Sequence, residues 1–482
     1  MAENFYDKFY KHSEKKSKSK TEKNSETKQK ASKSKKENHT NSEKKISQKP
    51  AYTDQHKTKS PVYTDQHKPK PPAYTDQHKT KPPVYTDQHK SHTSNPFTIE
   101  NSLFLNEALE NDTVSILNNF DEIIQGVRPL NSRQLQQLPD NIKALSHQLT
   151  DQRSERRLGY MNDNIQLSSY VRYYTWWNLV RLTRLFSNLP EELFPKKESI
   201  CLDLGTGPLT LIIALWLARP ELRKLKLTWY CLDVSANSMA LGEDIYLSVA
   251  ARSNEEPWKI IRVKGPFGTS IRQKADFITC ANMFNELDQA GEMPPEYQTK
   301  KYFDQLKTYS SKDAHFLLIE PGVPKASRTL SLLRGRFISD GKEVLAPCSH
   351  AGDCPMNGFK AYTGSQNKWC NFAFSTEDAP EKLQKLSEKA KLPKERATLS
   401  FLAVSDGGQT PKKEDLLCRV ASDSFTLPCH TFGHYACSSL GLLLLRTKGS
   451  EMIKSGDLIS VKIKRSDSLP KDDKSGALII SL

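Results

Sequence analysis

Asp203, Gly205, Gly207 and Asp233 are the residues whose types and spacing most directly suggest chemistry in this chain. The first three lie in SICLDLGTGPLTLIIALWLA, Ser199 to Ala218, where an apolar run breaks at two glycines and resumes as an apolar helix. A turn without Cβ atoms lets backbone amides and a helix N-terminus come close to a ligand. Asp233 closes a second apolar run, LKLTWYCLDVS, from Leu225 to Ser235. An acid at the tip of a second parallel strand accepts hydrogen bonds from both hydroxyls of a ribose. Glycine turn and acid together predict a nucleoside-cofactor site. Without the acid, the glycines need only shape a strand-to-helix turn.

Such a turn can serve NAD, FAD or S-adenosylmethionine. The dinucleotide pattern is incomplete, because GTGPLT places Thr210 where a third glycine is wanted. A pyrophosphate needs that close approach, and Asp203 would repel it. S-adenosylmethionine carries no phosphate, and its cationic aminoacyl end suits Asp203, directly or through water. Its methyl transfer is an in-line displacement that needs alignment and desolvation more than it needs a base. The segment CANMFNEL, Cys280 to Leu287, follows the fourth strand, and in such folds that segment faces the methyl group. It is neither an Asn-Pro-Pro-Tyr grip for an exocyclic amine nor a Pro-Cys nucleophile. Asn282, Asn285 and Glu286 are the polar candidates there, with helix capping as the alternative.

Cysteines form the second constellation. Cys348, Cys354 and Cys370 fall in APCSHAGDCPMNGFKAYTGSQNKWCNF, a stretch with no hydrophobic period, and Cys418 follows in DLLCRV. Thiols clustered in a loop of a reducing compartment point to a metal, with free cysteines as the alternative. The intervals match neither the short knuckles of structural zinc nor a ferredoxin run, so spacing leaves zinc and iron–sulfur both open. His350, Cys429 and His430 are spare ligands.

These residues need a scaffold, and the pattern predicts one. From Glu198 to about Lys342 the sequence alternates strands (200–204, 225–233, 258–264, 275–281, 314–320) with helices (208–218, 236–250, 325–338). That alternation predicts an α/β fold whose parallel sheet is covered on both faces and binds ligands at the strands' carboxyl ends. Ahead of it, helical spacing recurs between 101 and 149 and again from Ile165 to Phe186. The second helix carries Tyr170, Tyr173, Tyr174, Trp176 and Trp177 with Arg172, Arg181 and Arg184. Such a helix can stack bases, but packing against the next domain is the expectation. Later come a helix at 380–392, a strand at 400–405, and two strands, 441–447 and 457–465, of a small β unit. The expected divisions are 1–95 as a disordered basic tail, 96–195 helical, 196–345 Rossmann-like, 346–436 Cys-rich and 437–482 β.

Charge is unevenly placed: residues 1–95 hold 22 lysines against 11 acids, +11 of the chain's +15. Polyanion affinity is therefore first a property of the tail. Within it an eleven-residue unit, P-[AV]-Y-T-D-Q-H-K, recurs four times and places Tyr52, Tyr63, Tyr74 and Tyr85. One aromatic per unit builds no core; a solvated repeat is the expectation, with an RNA-stacking arm as the alternative. The N-terminus lacks the apolar segment of a signal peptide and the Arg-rich, acid-poor character of a transit peptide. Leu209 to Ala218 is too short to span a bilayer. A soluble, cytoplasmic protein is expected.

EVLAPCSHAGDCPM followed by KWCNF resembles the Pro-Cys-x-His…Cys-Pro…Trp-Cys-x-Phe signature of a methyltransferase-like family attached to the small ribosomal subunit, with bacterial members and a mitochondrial assembly factor. IEPG (Ile319 to Gly322), ATLSFLAVSDG and the Leu-Cys at 417–418 follow in the family's order, and the likeness runs from about Tyr160 to Arg446. It implies a Rossmann-like S-adenosylmethionine methyltransferase fold with N-terminal helices, a Cys-rich metal-binding lobe and a small C-terminal β unit. It further implies S-adenosylmethionine at Asp203, Gly205, Gly207 and Asp233, and a 4Fe–4S cluster on Cys348, Cys354, Cys370 and Cys418. The chain departs from the family in a longer second cysteine interval and in Leu209, where the family's turn usually runs Gly-Pro-Gly-Thr. The expected function is methyl transfer to small-subunit ribosomal RNA. The alternative is a catalytically silent iron–sulfur assembly factor that binds that RNA. Expected partners are the small subunit and its RNA, with no membrane, for a monomeric protein.

Overall fold

A computed structural model describes residues 96–482 apart from 106–108, 151–159, 254, 288–292, 360–366, 408–414 and 464–468. The basic tail and its tyrosine repeats lie outside these residues.

Two sheets organise the described chain. Strand β1 (Phe97–Ser102) comes first and belongs to the second sheet. Four helices follow, Asn111–Asn118, Phe120–Val127, Ser132–Thr150 and Asn164–Tyr170, and a π-helical turn, Val171–Thr175, runs on into the helix Trp176–Ser187. The aromatic helix is a packing element. Trp176 and Trp177 are buried and donate their indole N–H to Leu117 O and Ser387 Oγ, at 2.7 and 3.0 Å. Arg184 pairs with Asp378 at 2.7 Å and lies over the Phe374 ring, and Arg172 is buried against Ser168, Gln125 and the Arg128 carbonyl. Base stacking on the two tryptophan rings is therefore closed off.

Next comes the alternation foreseen from Glu198 onward. β2 (Ser199–Leu204), β3 (Leu227–Asp233), β4 (Lys259–Lys264), β5 (Ala275–Ala281) and β6 (Ser310–Glu320) are parallel, in the order β4-β3-β2-β5-β6. β7 (Glu343–Ala346) ends the sheet, and β9 (Arg396–Ser405) lies antiparallel between β6 and β7. A short β8 (Phe372–Ser375) pairs with the start of β9. The result is an α/β fold around a mixed sheet. Its central strands are apolar on both sides because helices cover both faces. The helix after the glycine turn, Thr210–Ala218, is buried along its whole length, as an element apolar all round must be.

β10 (Leu416–Val420), β11 (Phe425–Leu427), β12 (Thr431–Ser438), β13 (Gly441–Thr447), β14 (Asp457–Val461) and β15 (Leu478–Ser481) form the second sheet with β1, in the order β1-β14-β10-β12-β13-β15, β11 pairing with β12. The boundary expected at 436/437 thus falls inside β12, and the segment expected to be helical begins with a strand. Both are non-local pairings: Phe97 meets Val461, and Cys418 meets Ser438. Among the described residues no helix is long and apolar enough to cross a membrane.

Candidate functional site

The carboxyl ends of β2, β3, β5 and β6 meet at the glycine turn. Gly205 and Gly207 have φ of +65° and +53°, the left-handed region that a side chain disfavours. A Cβ on Gly205 would lie 2.9 Å from Met283, so that side chain already closes over the turn. Leu209, buried at the helix N-terminus, takes the same backbone region with φ +55°. A side chain at that position holds the left-handed backbone at the cost of strain.

Both predicted acids are buried and held differently. Asp233 accepts the Gly207 amide at 2.9 Å and the Ser235 amide at 2.8 Å. Burial raises its carboxyl above the ordinary range, against the pull of those amides. Asp203 accepts from the Thr279 hydroxyl at 2.7 Å through one oxygen, while its other oxygen has no partner. Burial pushes its carboxyl up to about 7. A carboxylate in that position is short of a cation or an N–H donor. The buried Thr206 hydroxyl beside it favours the charged carboxyl without making a well-formed hydrogen bond to it. Met161 and Asn162 lie on the Asp233 side, where Ser235 Oγ donates to Asn162 Oδ1 at 2.9 Å and Met161 reaches to 3.7 Å from a Cβ position on Gly207.

On the acceptor side, Asn282 leaves β5 in the left-handed region, φ +61°, its amide bonded to Ile319 O at 2.8 Å. Glu320, at the end of β6, is fully buried and accepts the amides of Phe284 and Asn285 at 2.9 and 3.1 Å. The capping acid of the turn Phe284–Leu287 is therefore Glu320, and the half-buried Asn285 and Glu286 sit on that turn. Sequence reasoning passed over Glu320. Its signal was an acid closing the apolar run FLLIE at a parallel strand's carboxyl end.

The cysteines part company with the sequence reading. Cys348, Cys354 and Cys370 line one cavity, and the fourth thiol there is Cys437, with Arg334, His350 and Arg419 around it. Cys418 is on the wrong face: its thiol lies in the core of the second sheet, 3.7 Å from Ile459 O. The reason is strand parity. Successive residues of β10 point to opposite sides, and register pairs Arg419, not Cys418, with Cys437. Cys429 and His430 are exposed on the turn after β11, both at positive φ, away from the cavity. His350 places Nε2 at 3.1 Å from Cys437 Sγ. Arg334 donates Nε to Cys348 Sγ at 3.0 Å and Nη2 to His350 O, and Arg419 donates Nε to Pro347 O. Burial and mutual repulsion push the Cys370 thiol well above its ordinary value, and burial also raises Cys348 and Cys437. Among the described residues no three His, Cys, Asp or Glu side chains close on a point that one metal ion could occupy. The metal lobe expected from the sequence is, among the described residues, a cavity lined by Cys348, Cys354, Cys370 and Cys437 in place of Cys418.

The family described as the mitochondrial small ribosomal subunit family Rsm22 matches residues 174–425, just over half of the chain. No curated protein matches. Among solved structures, a SAM-dependent methyltransferase from Geobacter sulfurreducens, in complex with S-adenosyl-L-homocysteine, is similar at 12% identity; the match covers 48% of this chain and 90% of that one, with a TM-score of 0.27. A putative class I S-adenosylmethionine-dependent methyltransferase from Listeria monocytogenes is similar at 12% identity over 64% and 92% of the two chains, TM-score 0.27. A third, YjhP from Escherichia coli, is similar at 12% identity over 55% and 99%, TM-score 0.27. At such scores the overlays add nothing to the strand order and turn geometry described above.

Proposed function

The chain belongs to the Rsm22 family of the mitochondrial small ribosomal subunit, and on that premise we propose that it binds S-adenosylmethionine and transfers its methyl group to small-subunit ribosomal RNA. One observation carries the proposal: the buried, unpartnered oxygen of Asp203 beside a glycine turn whose neighbouring strand ends in Asp233. An orphaned buried acid costs free energy until a donor reaches it. The aminoacyl ammonium of the cofactor is such a donor.

In this reading Asp233 holds the ribose hydroxyls, and the left-handed turn 205–207 lets the backbone approach the ligand. When bound, S-adenosylmethionine supplies an electrophilic methyl group and its own leaving group. The chain supplies alignment and dryness. Glu320 fixes the turn Phe284–Leu287 by binding two of its amides, which sets where Asn282 and Asn285 stand toward the acceptor. Calorimetry with S-adenosylhomocysteine tests the site, and tritium transfer from labelled donor to immature small subunits tests the reaction. Binding with incorporation is expected; binding to the particle with no incorporation overturns the enzymatic reading.

That second outcome has an observation in its favour. Met283 packs on Gly205, and the strained Leu209 takes the place of the family's usual glycine. A turn so closed suits a factor that binds RNA during assembly without turning over. The cysteine cavity fits either role. Four thiols are a soft donor set, and Arg334 and Arg419 would offset the charge of thiolates. A single tetrahedral zinc, with bonds of about 2.3 Å, draws its sulfurs close together. In this reading Cys348, Cys354, Cys370 and Cys437 hold an iron–sulfur cluster, with zinc as the other occupant the donor set allows. Anaerobic purification with iron, sulfide and zinc assays distinguishes the two: a brown protein with iron and sulfide supports the cluster, and a colourless one with stoichiometric zinc overturns it.

A further inference from the structure

Arg181 is the one arginine of the aromatic helix that the packing does not consume. Arg184, three residues on, is neutralised by Asp378, and Arg172 is wrapped by neutral acceptors. Arg181 instead reaches to the acceptor side of the glycine-turn cleft. Its Nη1 is anchored on Thr398 O at 2.9 Å, while Nη2 meets Asn282 Oδ1 only at 3.5 Å and Nε has no partner. Nε and Nη2 form one edge of the guanidinium, the edge that grips two oxygens of a single anion. That edge is buried and unsatisfied, so a ligand reaches it only once Asn282 moves aside. Asn282, in its left-handed backbone and at the limit of hydrogen-bond distance, is the group that an arriving anion would displace.

A second cation converges on the same place. Lys394 extends its ammonium 5.4 Å from the centre of the Tyr173 ring and 5.5 Å from that of Trp177. Arg181 and Lys394 make no ion pair with any described residue. Glu320 attracts Arg181, but its two oxygens already serve the Phe284 and Asn285 amides. Desolvation beside the Tyr173 and Trp177 rings and repulsion from Arg181 lower the Lys394 ammonium, although the residue itself is exposed. Arg181 and Lys394 repel one another, and an anion between them would relieve that repulsion.

We propose that Arg181 and Lys394 form a phosphate clamp on the acceptor side of the cleft, holding one phosphodiester of a single-stranded RNA next to the glycine turn. This rests on the reading of the cleft as a site that handles RNA, and it adds the residues that hold the backbone. Two non-bridging oxygens match the Nε–Nη2 edge, and the ammonium adds a point charge that needs no fixed geometry. The basic tail, with +11 of the chain's +15, would raise the encounter rate, whereas the clamp fixes register.

The test is site-specific, because tail lysines dominate bulk RNA affinity. The full-length protein is acetylated with acetic anhydride at pH 8, and the rate at Lys394 is read by mass spectrometry with and without a mixed-sequence single-stranded RNA. Protection of Lys394 at least fivefold is expected, lost in Arg181→Gln and partly restored in Arg181→Lys. Unchanged acetylation of Lys394 under saturating RNA overturns the clamp. So does equal protection by poly-glutamate, which would make the site a peptide-binding one. Calorimetry of the same proteins with S-adenosylhomocysteine separates the two readings. Intact donor binding without Lys394 protection refutes the clamp alone, and protection without donor binding refutes the donor site alone.

Discussion

The glycine turn and the cysteine cavity are built in opposite ways. Backbone does most of the work at the turn: two left-handed glycines, the amide of Gly207 and two acids sit at the tips of adjacent strands. Thiols do it in the cavity, and they come from two loop segments and one strand of a different sheet. A backbone site can be assembled from neighbours in sequence. A side-chain site depends on which face of each strand is turned inward. Burial raises one carboxyl at the turn to about 7, and in the cavity it raises the thiols of Cys348, Cys370 and Cys437 beside two arginines.

The sharpest way to break this contrast is at the fourth thiol. Cys437→Ser should abolish metal retention, read as loss of iron and of visible absorbance. Cys418→Ser should leave metal content at wild-type level and lower stability by about 1–2 kcal/mol, as a buried polar swap does. The reverse result would return Cys418 to the cavity and void the parity assignment. Next in size is Asp203→Asn, which should weaken S-adenosylhomocysteine binding by at least about tenfold, or 1.4 kcal/mol. The carboxyl titrates near 7, and a cationic ligand needs its charged form. Affinity should therefore fall as pH drops through 7 in the wild type and stay flat in the variant.

Stability carries the opposite sign. A buried acid with a raised pKa binds its proton more tightly folded than unfolded, so the free protein should lose stability as pH rises from about 4 to 7. Asp203→Asn should remove that loss and be the more stable protein at pH 8, by thermal or urea unfolding. No difference between the two at pH 8 would mean that the Asp203 carboxyl is not raised.

Leu209→Gly tests the strain in the turn itself and should leave metal content unchanged. It relieves about 1–2 kcal/mol of left-handed strain but gives up a fully buried leucine, worth about 3–4 kcal/mol. Net destabilisation of about 1–3 kcal/mol is expected in urea unfolding, and a gain in stability would mean that the strain exceeds the packing. Smallest of all, Cys429→Ser should change neither metal content nor stability measurably, since that thiol is exposed on a turn. Any loss of metal there would reopen the choice of ligands.

Much of the parallel sheet was legible because each strand is a short apolar run between glycines, prolines and acids, and Asp203, Gly205, Gly207 and Asp233 are local features of such runs. The helix Pro295–Tyr309 was missed because only Thr299, Tyr302, Leu306 and Tyr309 of its fifteen residues are buried, too thin a stripe among charges to stand out. Glu320 was passed over because its role depends on amides 35 residues away.

What the order of residues settled alone was the turn, the acids beside it and the grouping of three thiols, because each is set by neighbours along the chain. Only tertiary structure could decide the rest. Strand β1 joins a sheet whose other strands lie more than 300 residues further on, Arg181 rather than Arg172 or Arg184 reaches the cleft, and Cys437 displaces Cys418. Each of those outcomes turns on which face of a strand or helix is covered. That is fixed by partners distant in sequence, through a register in which one residue's shift reverses inside and outside.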